Sequence, residues 1–327
     1  MTKMDLCGER RAVLKAIGLA PFVLPRLAAA QGERVRIAYA SRSTAFLTMY
    51  VAKDLGFYAR EGLETELIQM APNLAVVALS SGEVDYIELV GSTVRAAVKG
   101  LPMRALSVSI TAPFFVLVAK PSIKSVPELK GKIVGITSFA GTNYHVTRLI
   151  LKHYGLTAQK DVSLLAVGDE ATLYQALTAG RIDATAISPP WPFKAQQDGF
   201  VVLVNAPDVV ELPFVGLGAT ISKIQHQREQ AKRMIRAELA ALRAIREQKE
   251  ATLKVIRERF AMDAETALRS YELILPAFSR DGRISRTGIE TLIALEKEEA
   301  KIDKAIAFTD VVDPTLLEEV NREPGMK

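Results

Sequence analysis

Apolar and polar residues alternate through Val35, Ile37 and Tyr39, which predicts a strand. The spacing then becomes helical over Ala45 to Leu55 and stops at Gly56, with Ser41-Arg-Ser-Thr44 supplying capping side chains in between. The same reading predicts a strand over Glu64 to Met70 and a helix over Asn73 to Ser81 that ends at Gly82. A buried strand over Val84 to Leu89 follows, then a helix opened by Gly91-Ser92 and running to Lys99. Strands over Met103 to Ile110 and Phe114 to Ala119 flank Thr111-Ala-Pro113.

A second unit of the same kind runs from Lys120 to about Pro213. In it, Lys132 to Thr137 is a strand, Ser138-Phe-Ala-Gly-Thr142 a loop that opens a long helix to Tyr154, and Ser163 to Val167 the next strand. Gly168-Asp-Glu170 opens a helix to Gly180, and Asp183 to Ser188 is a third strand, before Pro189-Pro190. Strand, loop, helix, strand is the signature of a parallel α/β unit. Phe214 to Ile221 predicts one more strand, returning to the first unit. The remainder is helical, with Ala231, Met234, Ile235, Leu239, Leu242 and Ile245 at 3–4 spacing. The expected fold class is α/β with two lobes. Residues 31–118 with 214–327 form lobe 1, including the C-terminal helices, and residues 119–213 form lobe 2.

The first thirty residues follow another logic. Arg10-Arg11 precedes a short apolar run from Ala16 to Pro25, then Arg26-Leu-Ala-Ala-Ala30. Paired arginines, a modest apolar core and an Ala-x-Ala site describe a twin-arginine-like export signal cleaved after Ala30; the alternative is an amphipathic N-terminal helix. Ten apolar residues fall short of the ~20 that span a bilayer. The segment holds five cations and two acids, a net +3 of the chain's +5, so residues 31–327 carry +2. Together with the absence of a basic patch interleaved with aromatics, this argues against nucleic acid as a partner. The one cysteine, Cys7, lies inside the signal, so the mature chain offers no thiolate, disulfide or cysteine metal site.

Ligands in such folds bind beyond the carboxyl ends of the strands, which selects the loops there. Ser138, Gly141, Thr142 and Asn143 open a helix whose positive end attracts an anion, with Thr142 as its expected cap. Gly91 and Ser92 open another. Ser41, Arg42 and Ser43 follow the first strand; Arg42 either pairs with a carboxylate or sulfonate or is a solvated loop charge. Phe46, Phe114, Tyr144 and Trp191 are either cleft aromatics or core. Ser188 sits beside the sole tryptophan. Glu88 lies within an apolar strand and needs a partner, either a ligand or Arg95; Glu170 is similar. His145, His153 and His226 are poorly spaced for chelation, so no metal is expected, and no Ser-His-Asp arrangement emerges.

Several segments carry a family pattern. Tyr50-Val-Ala-Lys-Asp-Leu-Gly-Phe-Tyr58 and Glu61-Gly-Leu-Glu-Thr-Glu66 resemble the opening of the periplasmic binding proteins for nitrate, taurine, alkanesulfonates and thiamine-pyrimidine precursors. Ser81-Gly-Glu-Val-Asp85, Leu129-Lys-Gly-Lys132, Ala176 to Ala184, Tyr271 to Phe278 and Asp281 to Ser285 are similar to its later signatures, so the resemblance covers Arg34 to about Asp313. It implies a two-lobe type II periplasmic-binding clamp with a helical C-terminal part. The implied function is capture of a solute for an ABC importer permease in the inner membrane, with no cofactor and no catalysis. The resemblance does not fix the ligand, but the hydroxyl-rich loops and Arg42 point to a small organic anion and the cleft aromatics to a polar aromatic or heteroaromatic compound. Two alternatives share the fold. One is a pyrimidine-synthase-like enzyme, which in that family implies a histidine, pyridoxal phosphate and a cysteine-rich iron motif. The other is a ligand-binding module for a sensor.

Overall fold

The computed structural model describes residues 32–139, 141–210 and 212–325. The expected export signal at residues 1–30 lies outside them. In chain order, β1 (Glu33–Tyr39), α1 (Leu47–Asp54), α2 (Phe57–Arg60), β2 (Leu63–Gln69), α3 (Pro72–Ser81), β3 (Tyr86–Ile87), α4 (Val90–Val98) and β4 (Met103–Ala105) build the first unit. The second holds β5 (Val116–Ala119), β6 (Ile133–Ile136), α5 (Thr142–His153), β7 (Ser163–Ala166), α6 (Glu170–Thr178), β8 (Ala184–Ile187), α7 (Trp191–Gln197) and β9 (Val201–Asn205). Then come β10 (Gly218–Thr220), α8 (Ile221–His226), α9 (Arg228–Glu247), α10 (Lys249–Phe260), α11 (Ala264–Ile274), α12 (Arg286–Ala300), α13 (Phe308–Val311) and α14 (Thr315–Arg322). Among the described residues, no helix is long and apolar enough to cross a membrane.

The strands form two five-stranded sheets of matching order, β2-β1-β3-β10-β4 and β7-β6-β8-β5-β9. In each, three neighbouring strands are parallel and the fourth is antiparallel to both its neighbours. That antiparallel strand is the first one reached after the chain crosses between sheets: β5 after the outward crossing, β10 after the return. The architecture is the expected two-lobe α/β fold. The apolar positions that predicted β1 are buried, with Val35 and Ile37 fully so, and the 3–4 face of α9 is buried from Ala231 to Ile245.

Three predicted strands are much shorter than expected. Val84 to Leu89 contributes only two residues, because the chain turns at Glu88 to start α4. Met103 to Ile110 pairs in the sheet only to Ala105, because the rest belongs to the crossing. Phe214 to Ile221 keeps only Gly218–Thr220 in the sheet, because Phe214 to Leu217 belong to the crossing as well. There the outward and return segments run side by side. Leu106 N donates to Leu217 O at 2.8 Å, Ser109 N to Val215 O at 2.9 Å, and Phe214 N to Ile110 O at 3.0 Å. A third segment joins them through Ser279 N to Ser109 O at 2.8 Å and Val108 N to Gly282 O at 2.8 Å. A β-carbon on Gly216 would stand 2.2 Å from the Ser107 carbonyl oxygen, so only glycine fits.

Glu88, whose strand turns into α4, points into the core of the first lobe. Its neighbour there is Glu238 of α9, not Arg95 as the sequence suggested. Glu88 and Glu238 are 1% and 2% exposed. Ser107 Oγ reaches Glu238 Oε2 at 3.4 Å, and the buried Tyr58 hydroxyl, close enough to feel both charges, has no hydrogen-bond partner among the described residues. Burial raises both carboxyls above the ordinary 4.5, and their mutual repulsion raises Glu238 further. Neither Glu88 oxygen nor Glu238 Oε1 has a hydrogen-bond partner among the described residues, so the pair is expected to keep a proton at neutral pH.

Two outcomes follow from this geometry. Gly216→Ala is expected to destabilise the fold by about 1–3 kcal/mol through overpacking, read by urea denaturation. Because the folded dyad binds more protons than the unfolded chain, its contribution to stability falls as pH rises above 4.5. Glu238→Gln supplies the missing donor permanently, and is expected to flatten that slope and add about 1–3 kcal/mol near pH 8. Denaturation of both proteins across pH checks this; an unaltered slope in the variant would refute the retained proton.

Candidate functional site

Two groups of loops meet between the lobes. In the first, the turn after β1 meets the loops after β7 and β8. Glu170, the first residue of α6, is 3% exposed. Its Oε2 accepts from Ser188 N and Ser188 Oγ, both at 2.6 Å, and its Oε1 accepts from Ser41 Oγ of the opposite lobe at 3.2 Å. Ser43 Oγ lies 3.3 Å from Ser41 Oγ and completes the hydroxyl cluster. Thr44 donates from both N and Oγ1 to the Pro189 carbonyl at 3.1 and 3.0 Å, and Gln69 Nε2 donates to Asp169 Oδ2 at 2.7 Å. Ser43 therefore does not cap the following turn as its position suggested; its hydroxyl faces Glu170 instead. Burial pushes the Glu170 carboxyl up to about 7, against the lowering effect of its serine donors.

In the second group, the N-termini of α4 and α5 converge. A β-carbon on Gly91 would lie 2.7 Å from Thr142 Oγ1 across the interface, and one on Gly141 would lie 3.2 Å from Pro72 Cγ. Both glycines permit the approach. Gly141 rather than Thr142 occupies the cap position of α5, without a side-chain bond. Beside this contact lies a cavity of about 560 Å³, walled by Val76, Ala96, Leu101, Phe139 and Ala166. Its polar lining is Asn73, Ser92, Arg95, Lys99, Ser138 and His145, with Glu296 and Glu299 from α12. Ser138 Oγ is buried with no hydrogen-bond partner among the described residues. Arg95 is 5% exposed, and its Nη2 donates to Ser92 Oγ at 3.1 Å. Burial lowers its pKa to about 10, with Glu296 and Glu299 opposing, so it remains a cation at neutral pH.

His145 is also buried, and desolvation, followed by the charges of Arg95, Arg148 and Lys99, pulls its pKa down to about 2. It is neutral, so its 3.8 Å approach to Glu299 is not an ion pair. His145, Glu296 and Glu299 place one donor atom each within 4.8 Å of one another, a cluster that the sequence spacing did not suggest. Lys99 already holds Glu296 at 2.6 Å, and Arg148 and Tyr144 hold Glu299. With Arg95 alongside, a divalent ion would meet three fixed positive charges, so the chemistry is that of an ion-pair network.

Of the residues singled out from sequence, Ser92, Ser138 and His145 line the cavity, with Gly91, Gly141 and Thr142 at its edge. Ser41, Ser43, Glu170 and Ser188 form the neighbouring hydrogen-bond cluster. The rest lie elsewhere. Arg42 is exposed and donates to the Arg259 carbonyl at 2.9 Å, within the first lobe. Phe46 packs on Tyr39, and Phe114 packs edge-on against Phe214 beside the crossing. Asn143 accepts from Thr137 N and donates to Ala186 O, fixing the loop before α5. Trp191 leans on Tyr174, with Lys194 over its ring. Sequence reasoning named Arg95 only as a partner for Glu88, and did not single out Lys99, Phe139, Glu296 or Glu299. Arg95 carried a signal, as a cation one turn beyond Gly91-Ser92; the glutamates carried none, being two hundred residues away.

A family model described as NMT1/THI5 like matches residues 43–251. The chain belongs to this family. No curated protein matches the sequence. Among solved structures, a protein of Bordetella bronchiseptica RB50 aligns with TM-score 0.78 at 20% identity, over 89% of this chain and 98% of its own. The alkanesulfonate-binding protein SsuA from Xanthomonas axonopodis pv. citri, solved bound to MOPS, gives 0.74 at 17% identity, over 88% and 100%. The periplasmic nitrate-binding protein NrtA from Synechocystis PCC 6803 gives 0.75 at 15% identity, over 91% and 90%. At these identities the NMT1/THI5-like chain shares their fold, the periplasmic-binding-protein fold that its own residue pattern suggested.

The Glu170 cluster makes lobe contact sensitive to pH. Glu170 in the joined state titrates at about 7 rather than 4.5, so the joined state takes up a proton and loses relative stability as pH rises between those values. Small-angle scattering of the ligand-free protein is expected to show a larger radius of gyration at about pH 8 than at about pH 5, and Glu170→Gln to remove the difference. Identical pH responses in the two proteins would exclude Glu170 as the source.

Proposed function

We propose that this chain is a solute-binding protein that takes a small organic anion into the inter-lobe cavity and delivers it to an ABC importer. Export to the periplasm through the N-terminal segment belongs to the same reading. The observation that carries it is Arg95, a buried guanidinium on the wall of a cavity between two lobes, beside the N-termini of α4 and α5. Helix N-termini and a guanidinium fork both favour negative charge. The hydroxyls of Ser92 and Ser138 add directional donors, and neutral His145 adds a site that donates or accepts according to tautomer. The apolar walls receive the carbon body of the ligand, with Phe139 the one aromatic among them. In this reading the anion contact is Arg95 rather than Arg42.

Titratable groups near the cavity serve recognition rather than bond chemistry in this reading. Residues 8–327 contain no cysteine, so the thiol-dependent chemistry of a pyrimidine-synthase-like enzyme has no residue to act through. The alkanesulfonate and nitrate proteins of the same fold support an anionic ligand, and supply the first compounds to try.

The test is a calorimetric screen of alkyl and aryl sulfonates, carboxylates and nitrate against the wild type and Arg95→Gln. At least one anion is expected to bind, and the variant, with unchanged circular dichroism, to bind it about ten- to a hundredfold more weakly, as loss of a charge-assisted hydrogen bond predicts. Equal affinity in the two proteins would move the ligand away from this cavity.

A further inference from the structure

Two glutamates of α12 line the inter-lobe cavity, and they differ in what they hold. The Glu296 side chain is 2% exposed and pairs with Lys99 at 2.6 Å, just beyond α4, so it fastens α12 to the first lobe. Glu299, about one turn later with its side chain 33% exposed, makes its contacts across the interface. Tyr144 Oη donates to Glu299 Oε1 at 3.2 Å, and Arg148 Nη1 donates to Glu299 Oε2. Both donors stand on α5 of the second lobe. The Arg148 guanidinium also lies over the Tyr144 ring, 5.3 Å from its centre, which steadies the pair of donors. One carboxylate of the first lobe is thus held by two neighbouring groups of the second. The helices are not closely packed beside this contact. A hollow of about 240 Å³ lies there, with Leu149 and Lys152 of α5 and Leu295 and Glu298 of α12 in its walls. Arg148 faces this hollow, Glu299 faces the cavity, and His145 borders both, so these three side chains form the partition between them.

We infer that Glu299, with Tyr144 and Arg148, is an ionic latch that holds the lobes together in the ligand-free protein and shuts a side entrance to the cavity between α5 and α12. Glu296 and Lys99 are its anchor, because they keep α12 on the first lobe when the latch opens. Any parting of the lobes must break the Glu299 contacts, whereas the hollow beside them leaves little apolar packing to lose at this edge. An exposed ion pair by itself contributes little. Here one half-sheltered carboxylate takes a guanidinium and a phenol hydroxyl together, a charge-assisted arrangement that is stronger than either alone. The latch differs from the Glu170 contact in what releases it: salt screens an ion pair, while Glu170 responds to protons. A latched resting state lowers the apparent affinity for any solute that enters through the open one. That consequence rests on the solute-binding reading; the latch itself does not.

Small-angle scattering of the ligand-free protein tests the latch, at a fixed pH of about 7 so that Glu170 is constant, and at about 0.05 and 0.5 M sodium chloride. The proteins are the wild type, Glu299→Gln, Arg148→Gln, the double variant, and Lys254→Gln, which removes an exposed pair with Glu258 inside α10 as a control for net charge. Circular dichroism checks that each is folded, and Arg148→Lys, which loses the fork but keeps the charge, replaces Arg148→Gln if that variant is not. At low salt each latch variant is expected to have a larger radius of gyration than the wild type, the ratio of joined to parted lobes falling about three- to tenfold. The double variant is expected to open no further than the singles, since both remove the same interaction. High salt is expected to move the wild type and the control towards the latch variants. A wild-type radius in both single variants overturns the latch. So does a double variant that opens by the sum of the two, or a control that opens as far as they do.

Discussion

The side-by-side passage of the two crossing segments is the constraint on which the rest of the molecule depends. At Gly216 the return segment lies so close to the Ser107 carbonyl that no side chain fits between them. That proximity lets Leu106, Ser109 and Ile110 bond to Leu217, Val215 and Phe214, and lets residues 277–282 join from the other side. The lobes are thus connected by a hydrogen-bonded ribbon rather than by two loose tethers. The pairing of β10 with β4 runs directly into this ribbon, so one sheet is continuous with the connection. The C-terminal helices are tied to the same place, which brings Glu296 and Glu299 of α12 against the cavity.

Around that frame the chain uses one functional group in three environments. Glu170 is buried among hydroxyl donors from both lobes, Glu88 and Glu238 are buried against each other, and Glu296 and Glu299 face cations. Desolvation raises the first three, whereas the α12 pair is matched by Lys99, Arg148 and Arg95. The consequences differ accordingly: a contact between lobes, a proton held in a core, and a charged wall for a cavity. Arg95 belongs to the third environment, where surrounding carboxylates hold it charged despite its burial.

The fold was largely legible along the chain. Alternation marked β1, helical spacing marked α9, and the loop from Ser138 to Thr142 was correctly placed between a strand and a helix. Strand lengths failed where the chain leaves a sheet, at Glu88 and after Ala105, because apolar residues continue into the crossing and periodicity does not distinguish a ladder from a ribbon. The site was less legible, for a different reason. Whether Arg42 or Arg95 faces the cavity depends on which way one turn of chain projects. Whether Glu88 meets Arg95 or Glu238 depends on a helix one hundred and fifty residues later. Such partners are set by packing between distant segments, which local pattern does not encode.

The placement of β10 also orders events in time. The second sheet is complete once the chain has reached β9, since all its strands lie between Val116 and Asn205. The first sheet lacks the strand that joins β3 to β4 until Gly218 is available, although its other strands precede Leu106. During synthesis from the N-terminus, the lobe begun first is therefore finished last. Its early strands wait with an open gap at β3 and β4 while the inserted lobe closes, and the long-range pairing across more than a hundred residues makes that closure the slow one. An insertion or a stalled segment in the second lobe would leave the first as an unfinished sheet with unpaired edges, the form most exposed to association with other chains.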